Sequence, residues 1–139
     1  MRLLGRYLAF IAFWVGQAAS AAAADCSQVH GVAMTPETET AGLTAYVVTD
    51  PSSIPIGRPF RATVSICSPS DTVVDRFEID ATMPRHRHGM NYTPKVTSGD
   101  DRTYTATGLF FHMPGLWRIA VTVRSKAKSV RFIHDVVVE

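Results

Sequence analysis

From Gly42 onward the chain alternates apolar and polar positions with a period of two. In Trp117-Arg118-Ile119-Ala120-Val121-Thr122-Val123 the odd-numbered side chains are large and apolar, while Arg118, Ala120 and Thr122 point the other way. This is the pattern of a strand with one buried face. Seven such segments can be read: Leu43 to Val48, Phe60 to Ile66, Val73 to Thr82, Tyr92 to Val96, Thr103 to Met113, Leu116 to Val123 and Val130 to Val138. Each is rich in Val, Ile, Thr and aromatic residues and is bounded by turn chemistry such as Asp50-Pro51-Ser52-Ser53, Ser98-Gly99-Asp100-Asp101 and Pro114-Gly115. No segment sustains a helical period. About seven short strands predict an all-β domain over residues 42–139, an antiparallel β-sandwich of immunoglobulin-like or cupredoxin-like type. Residues 25–41, with Gly31, Pro36 and few large apolar side chains, read as an irregular N-terminal arm.

The start of the chain follows a different rule. Arg2 and Arg6, an apolar run from Tyr7 to Val15 and a small-residue stretch from Ala18 to Ala24 have the layout of a signal peptide over residues 1–24, cleaved after Ala24. The expected location is the periplasm, or export by another route, with no membrane span in the mature chain. The run is short for a span, and retention of the leader as an anchor is the alternative. Losing Arg2 and Arg6 leaves 12 basic against 12 acidic residues. That balance excludes the basic surplus a nucleic-acid-binding face requires. An enzyme has little support, since no serine or cysteine nucleophile sits beside a plausible base and no carboxylate pair is evident.

Export makes a disulfide the expected state of Cys26 and Cys67, the only cysteines. The rival is a thiolate metal site, which strand order disfavours. If consecutive strands run antiparallel, Met83 to Met90 caps the end of the Val73 to Thr82 strand, and Thr103 to Met113 returns His112 and Met113 to that same pole. Cys67 falls at the other pole, too far away to share a site.

Three of the five histidines and three of the five methionines gather at the first pole: Met83, His86, His88, Met90, His112 and Met113. Imidazole with thioether, and no carboxylate, is a donor set that suits copper, above all Cu(I). On an extended backbone His86, His88 and Met90, at i, i+2 and i+4, would project from one face as a comb of ligands, with a fourth from His112 or Met113. Each residue has an ordinary reading too. Met83 and Met113 can be core plugs, His112 a satisfied, partly buried histidine, and His86 and His88 exposed loop residues. Arg85 and Arg87 stand against a bound cation and suit an anion or an acidic partner surface. His134, mid-strand, reads as a packed or lateral residue, and His30 lies in the arm.

Two signatures, Met83-Pro84-x-His86-x-His88-Gly89-Met90 and Gly108-Leu109-Phe110-Phe111-His112-Met113-Pro114-Gly115-x-Trp117, resemble those of the YtkA-like group of small exported β-sandwich proteins, itself distantly similar to the FixH family. The resemblance spans Phe60 to Val123. It implies an immunoglobulin-like fold, a role in copper handling or respiratory cytochrome assembly, and signature positions at Met83, His86, His88, Met90, His112, Met113 and Trp117. A partial likeness to periplasmic copper chaperones of the PCu(A)C type rests on the spacing of Met90 and His112. It fails where His112 and Met113 are adjacent and where Ile79 replaces the upstream ligand. The expectation is therefore a copper-binding protein, a Cu(I) carrier or an accessory factor, working with a periplasmic redox or cytochrome-assembly partner. The alternative is a metal-free β-sandwich interaction module that docks onto a membrane or redox partner.

Overall fold

A strand with one apolar face needs a second apolar face to bury it, and two packed sheets supply this to each other. The computed structural model describes Cys26, residues 29–68 and residues 72–139; the leader read at residues 1–24 lies outside the described residues. Ten strands follow in order: β1 Val32–Ala33, β2 Thr35–Pro36, β3 Thr44–Asp50, β4 Pro59–Cys67, β5 Arg76–Met83, β6 His88–Gly89, β7 Lys95–Ser98, β8 Thr103–Phe110, β9 Gly115–Ser125 and β10 Lys128–Val138. One sheet has the order β1-β3-β4-β8-β7 and the other β2-β10-β9-β5-β6. Every pairing is antiparallel.

The seven segments seen in the alternation are β3, β4, β5, β7, β8, β9 and β10. Counted among themselves they lie first-second-fifth-fourth against seventh-sixth-third, the strand order of a constant-type immunoglobulin sandwich. Trp117, Phe111, Phe132, Leu43 and Met83 are the largest fully buried side chains of the core. The predicted inward set of β9, Trp117, Ile119, Val121 and Val123, is wholly buried.

Several boundaries differ from the expectation: β8, expected to run to Met113, ends at Phe110, so His112 and Met113 lie in the connection to β9. The arm is not irregular throughout: β1 pairs with β3 and β2 with β10, so it crosses from one sheet to the other and buries Met34 between them. β5 begins at Arg76, because Val73 is exposed and belongs to the connection before it. The strand expected from Tyr92 forms only at Lys95, after Pro94.

A bulge in β8 matters for the site. Phe60 pairs with Leu109 and Arg61 with Thr107, leaving Gly108 unpaired at a φ of 82°. The extra residue inverts the alternation. Before it Tyr104 and Ala106 face inward; after it Leu109 and Phe111 do. Phe111 thereby reaches the core against Trp117 instead of pointing to solvent.

On the outer face of β9 and β10, Arg118 donates two hydrogen bonds to Asp135, at 2.7 and 2.8 Å, and Arg131 donates to Glu37 of the arm at 2.7 Å. The Arg118 hydrogen bond holds the Asp135 carboxyl below its ordinary range. Burial lowers the neighbouring His134, against the opposing pull of Asp135. Among the described residues no helix is long and apolar enough to cross a membrane.

Candidate functional site

The two poles sort as strand alternation requires. At the lower pole Cys26 is bonded to Cys67 at the end of β4, with a sequence separation of 41. The amide of Ile66, beside that bond, donates to the carbonyl of Arg102 in the turn before β8. The cysteines are therefore joined to each other and lie away from His86, His88 and His112.

At the upper pole the chain leaves β5 at Met83 and returns in β6. The carbonyl of Met83 accepts from the amides of both His86 and Arg87, and Arg87 adopts a left-handed φ of 55°. That tight turn breaks the extended comb expected from His86 through Met90: His86 sits in the turn and is exposed, and only His88 belongs to a strand. Met83 and His88 are direct cross-strand partners, so their side chains share one face of the sheet, the inner one. Met83 is 1% exposed and packs as a core residue. A Cβ at Gly115, whose φ is 125°, would come within 3.0 Å of the Met83 Cε, which accounts for glycine there.

His88 meets His112 from the other sheet's strand end. Their ring centroids are 5.3 Å apart with planes inclined at 32°. Both rings stand edge-on to Trp117, at 5.9 Å for His88 and 5.4 Å for His112. Trp117 is stacked on Phe111 at 4.4 Å, and its indole N–H donates to the carbonyl of Met113 at 3.0 Å. The aromatic pair is thus a rigid floor that fixes both the imidazoles and the backbone of Met113. Met90 lies alongside, its Sδ accepting a hydrogen bond from the amide of Phe110 at 3.4 Å. Met90 and Met113 are both half-buried against the core. His86 stands at the rim, 5.9 Å from His88 between centroids.

The donor chemistry has a defined orientation. His88 Nδ1 lies 3.3 Å from the carbonyl of Gly89, and in the tautomer that donates this hydrogen bond Nε2 carries the lone pair. Imidazole nitrogen bonds a transition metal at about 2.0 Å, so each ring centroid sits about 3.2 Å from the ion and a tetrahedral angle separates two centroids by about 5.2 Å. The observed His88–His112 separation of 5.3 Å fits two rings on one ion. Among the described residues no three His, Cys, Asp or Glu side chains are grouped to hold a metal. The residue that sequence reasoning missed is Gly108, whose bulge sets the inward phase of Leu109 and Phe111. An isolated glycine inside a strand pattern is the signal that marks such a bulge. Arg85 and Arg87 are exposed, where solvent and salt screen their repulsion of a cation.

No known family model matches the chain, and no curated protein or solved structure matches it significantly.

Proposed function

We propose that this is an exported copper-binding protein that holds Cu(I) at its upper pole and carries it, or supplies it as an accessory factor to a redox or cytochrome-assembly partner. His88 and His112 are the nitrogen ligands of this reading, Met90 and Met113 the thioether donors, and His86 an entry residue at the rim. Met83 supports them from the core. The observation that carries the reading is the 5.3 Å separation of the two imidazoles over a shared Trp117 floor. Soft sulfur beside imidazole, with the only thiols joined as a disulfide, favours Cu(I) over zinc or a hard cation. The disulfide agrees with an oxidising compartment. The resemblance of the His/Met motifs to those of the YtkA-like group points to the same chemistry.

The test is a competition titration of the purified protein against a chromophoric Cu(I) chelator, with a parallel Cu(II) titration. One equivalent of Cu(I) should bind, more tightly than Cu(II). His88→Ala and His112→Ala should each lose the tight site, and Met90→Leu should weaken Cu(I) more than Cu(II). Copper uptake unchanged in both histidine variants would refute the reading and favour a metal-free docking module at this pole.

A further inference from the structure

Met1 lies in the segment read as a leader, and the other four methionines divide two and two. Met34, carried between the sheets by the arm, is 6% exposed and Met83 is 1% exposed, so the core encloses both. Met90 and Met113 are half-buried at the upper pole, one just past the end of β6 and the other in the connection from β8 to β9. A small uncharged oxidant in solvent therefore meets two of the four thioethers, and they are the two assigned to copper above. Oxidation of a thioether replaces a flexible apolar side chain with a polar, chiral sulfoxide.

Met90 is held so that this change has a defined outcome. Its Sδ accepts from the amide of Phe110 at 3.4 Å, at the upper end of β8 beyond Thr107, the last residue that pairs with β7. A thioether sulfur has two lone pairs. The amide takes one, and a metal ion and an electrophilic oxygen compete for the other. A sulfoxide oxygen is a stronger acceptor than a thioether, so rotation of the side-chain end brings the new oxygen to the Phe110 amide and holds the oxidised form in place.

We propose that Met90 and Met113 form a peroxide-sensitive switch on the copper site, a proposal that rests on the copper reading above: a hydroperoxide converts both to methionine sulfoxide, the site loses its soft donors, and Cu(I) is released. In each step the sulfur lone pair attacks one peroxide oxygen, an S–O bond forms and the O–O bond breaks. The departing oxygen takes up a proton and leaves as water, or as an alcohol from an organic hydroperoxide; sulfur gives up two electrons and the peroxide gains them. His88 and His112 are unchanged, so two imidazoles remain, and the preference for Cu(I) over Cu(II) falls with the Cu(I) affinity. Met34 and Met83 stay reduced inside the core, which keeps the fold and lets enzymatic reduction of the two sulfoxides restore the site.

The test exposes the purified metal-free protein to hydrogen peroxide and follows it by intact-protein and peptide mass spectrometry. Two oxygen atoms should be added, at Met90 and Met113, with Met34 and Met83 reacting at least about tenfold more slowly and the circular dichroism of the fold unchanged. The doubly oxidised protein should lose Cu(I) affinity by about a hundredfold against the chelator and keep Cu(II) affinity within about threefold. Treatment with the A-type and B-type methionine sulfoxide reductases together, one for each sulfoxide epimer, should restore both mass and Cu(I) affinity. One equivalent of Ag(I), a soft monovalent ion used in place of Cu(I) to avoid radical chemistry with peroxide, should protect both positions. Met90→Leu and Met113→Leu should each leave a single oxygen to be added, which assigns the sites. Equal reaction at Met34 or Met83, loss of the fold on oxidation, or Cu(I) affinity that survives oxidation of both Met90 and Met113 would overturn this proposal and leave the copper reading standing. An unmodified protein with no Cu(I) affinity would end both.

Discussion

The two poles of the sandwich use similar residue types in opposite ways. At the lower pole, sulfur is covalent: Cys26 and Cys67 tie the arm to the end of β4. At the upper pole, sulfur is held as thioethers beside imidazoles, over a floor of stacked aromatic rings. The lower pole stabilises by restricting the unfolded chain, and its two sulfurs are bound to each other. The upper pole contributes stability through its floor and Met83, and the His88, His112 and Met90 side chains above the floor are half-buried. On the proposed reading the disulfide and the copper site lie at opposite poles, and each should be breakable without the other.

Trp117 is where that separation should fail, and it gives the largest expected effect. It is fully buried, stacked on Phe111 and in contact with both histidines. Trp117→Ala should cost about 3–5 kcal/mol, a large share of a small domain's stability, and abolish copper binding with it. Denaturant unfolding followed by circular dichroism measures the first effect. If Trp117→Phe keeps the fold but loosens copper, the indole's hydrogen bond to Met113 has a positioning role of its own.

Replacing both cysteines with serine should cost about 2–4 kcal/mol, read as a lower denaturation midpoint, and leave the upper pole unchanged at room temperature. His88→Ala should do the reverse. Cu(I) affinity should fall about a hundredfold or more, while the midpoint of the metal-free protein moves by under about 0.5–1 kcal/mol.

The smallest effect is in acid and belongs to neither pole. Burial lowers the His134 pKa, so the fold favours the neutral ring; its contribution is complete above the ordinary value of 6.5 and is lost as the pH falls below it. Asp135 is also lowered, through its bond from Arg118, so its contribution is present above the ordinary value of 3.8 and is lost as the pH falls through the lower folded value. Both slopes run toward acid instability. His134→Gln should flatten the decline just below pH 6.5, and Asp135→Asn the decline at lower pH, in a series of thermal melts. Asp135 is well exposed, so its share is small.

Much of this was legible in the sequence. Seven strands followed from alternation, and their antiparallel order alone was enough to put His88 and His112 at one pole and Cys67 at the other. The two-residue strands β1, β2 and β6 were not legible, because a pair of residues carries no periodicity and Pro36 argues against a strand. His86 was misread for a related reason: i, i+2, i+4 spacing makes a comb only on extended backbone, and the turn closed by the Met83 carbonyl removes it. That His88 and His112 share a tryptophan floor depended on the Gly108 bulge, a single-residue change of phase that strand counting passes over.

The most direct test of the separation is Cu(I) binding, measured under identical chelator competition, for the wild type, the Cys26→Ser/Cys67→Ser variant and the His88→Ala/His112→Ala variant. The cysteine-free protein should bind one Cu(I) with the wild-type affinity, and the histidine-free protein should bind none tightly. Loss of copper in the cysteine-free protein with its fold intact, or its retention in the histidine-free one, would contradict the assignment of soft-metal chemistry to the upper pole.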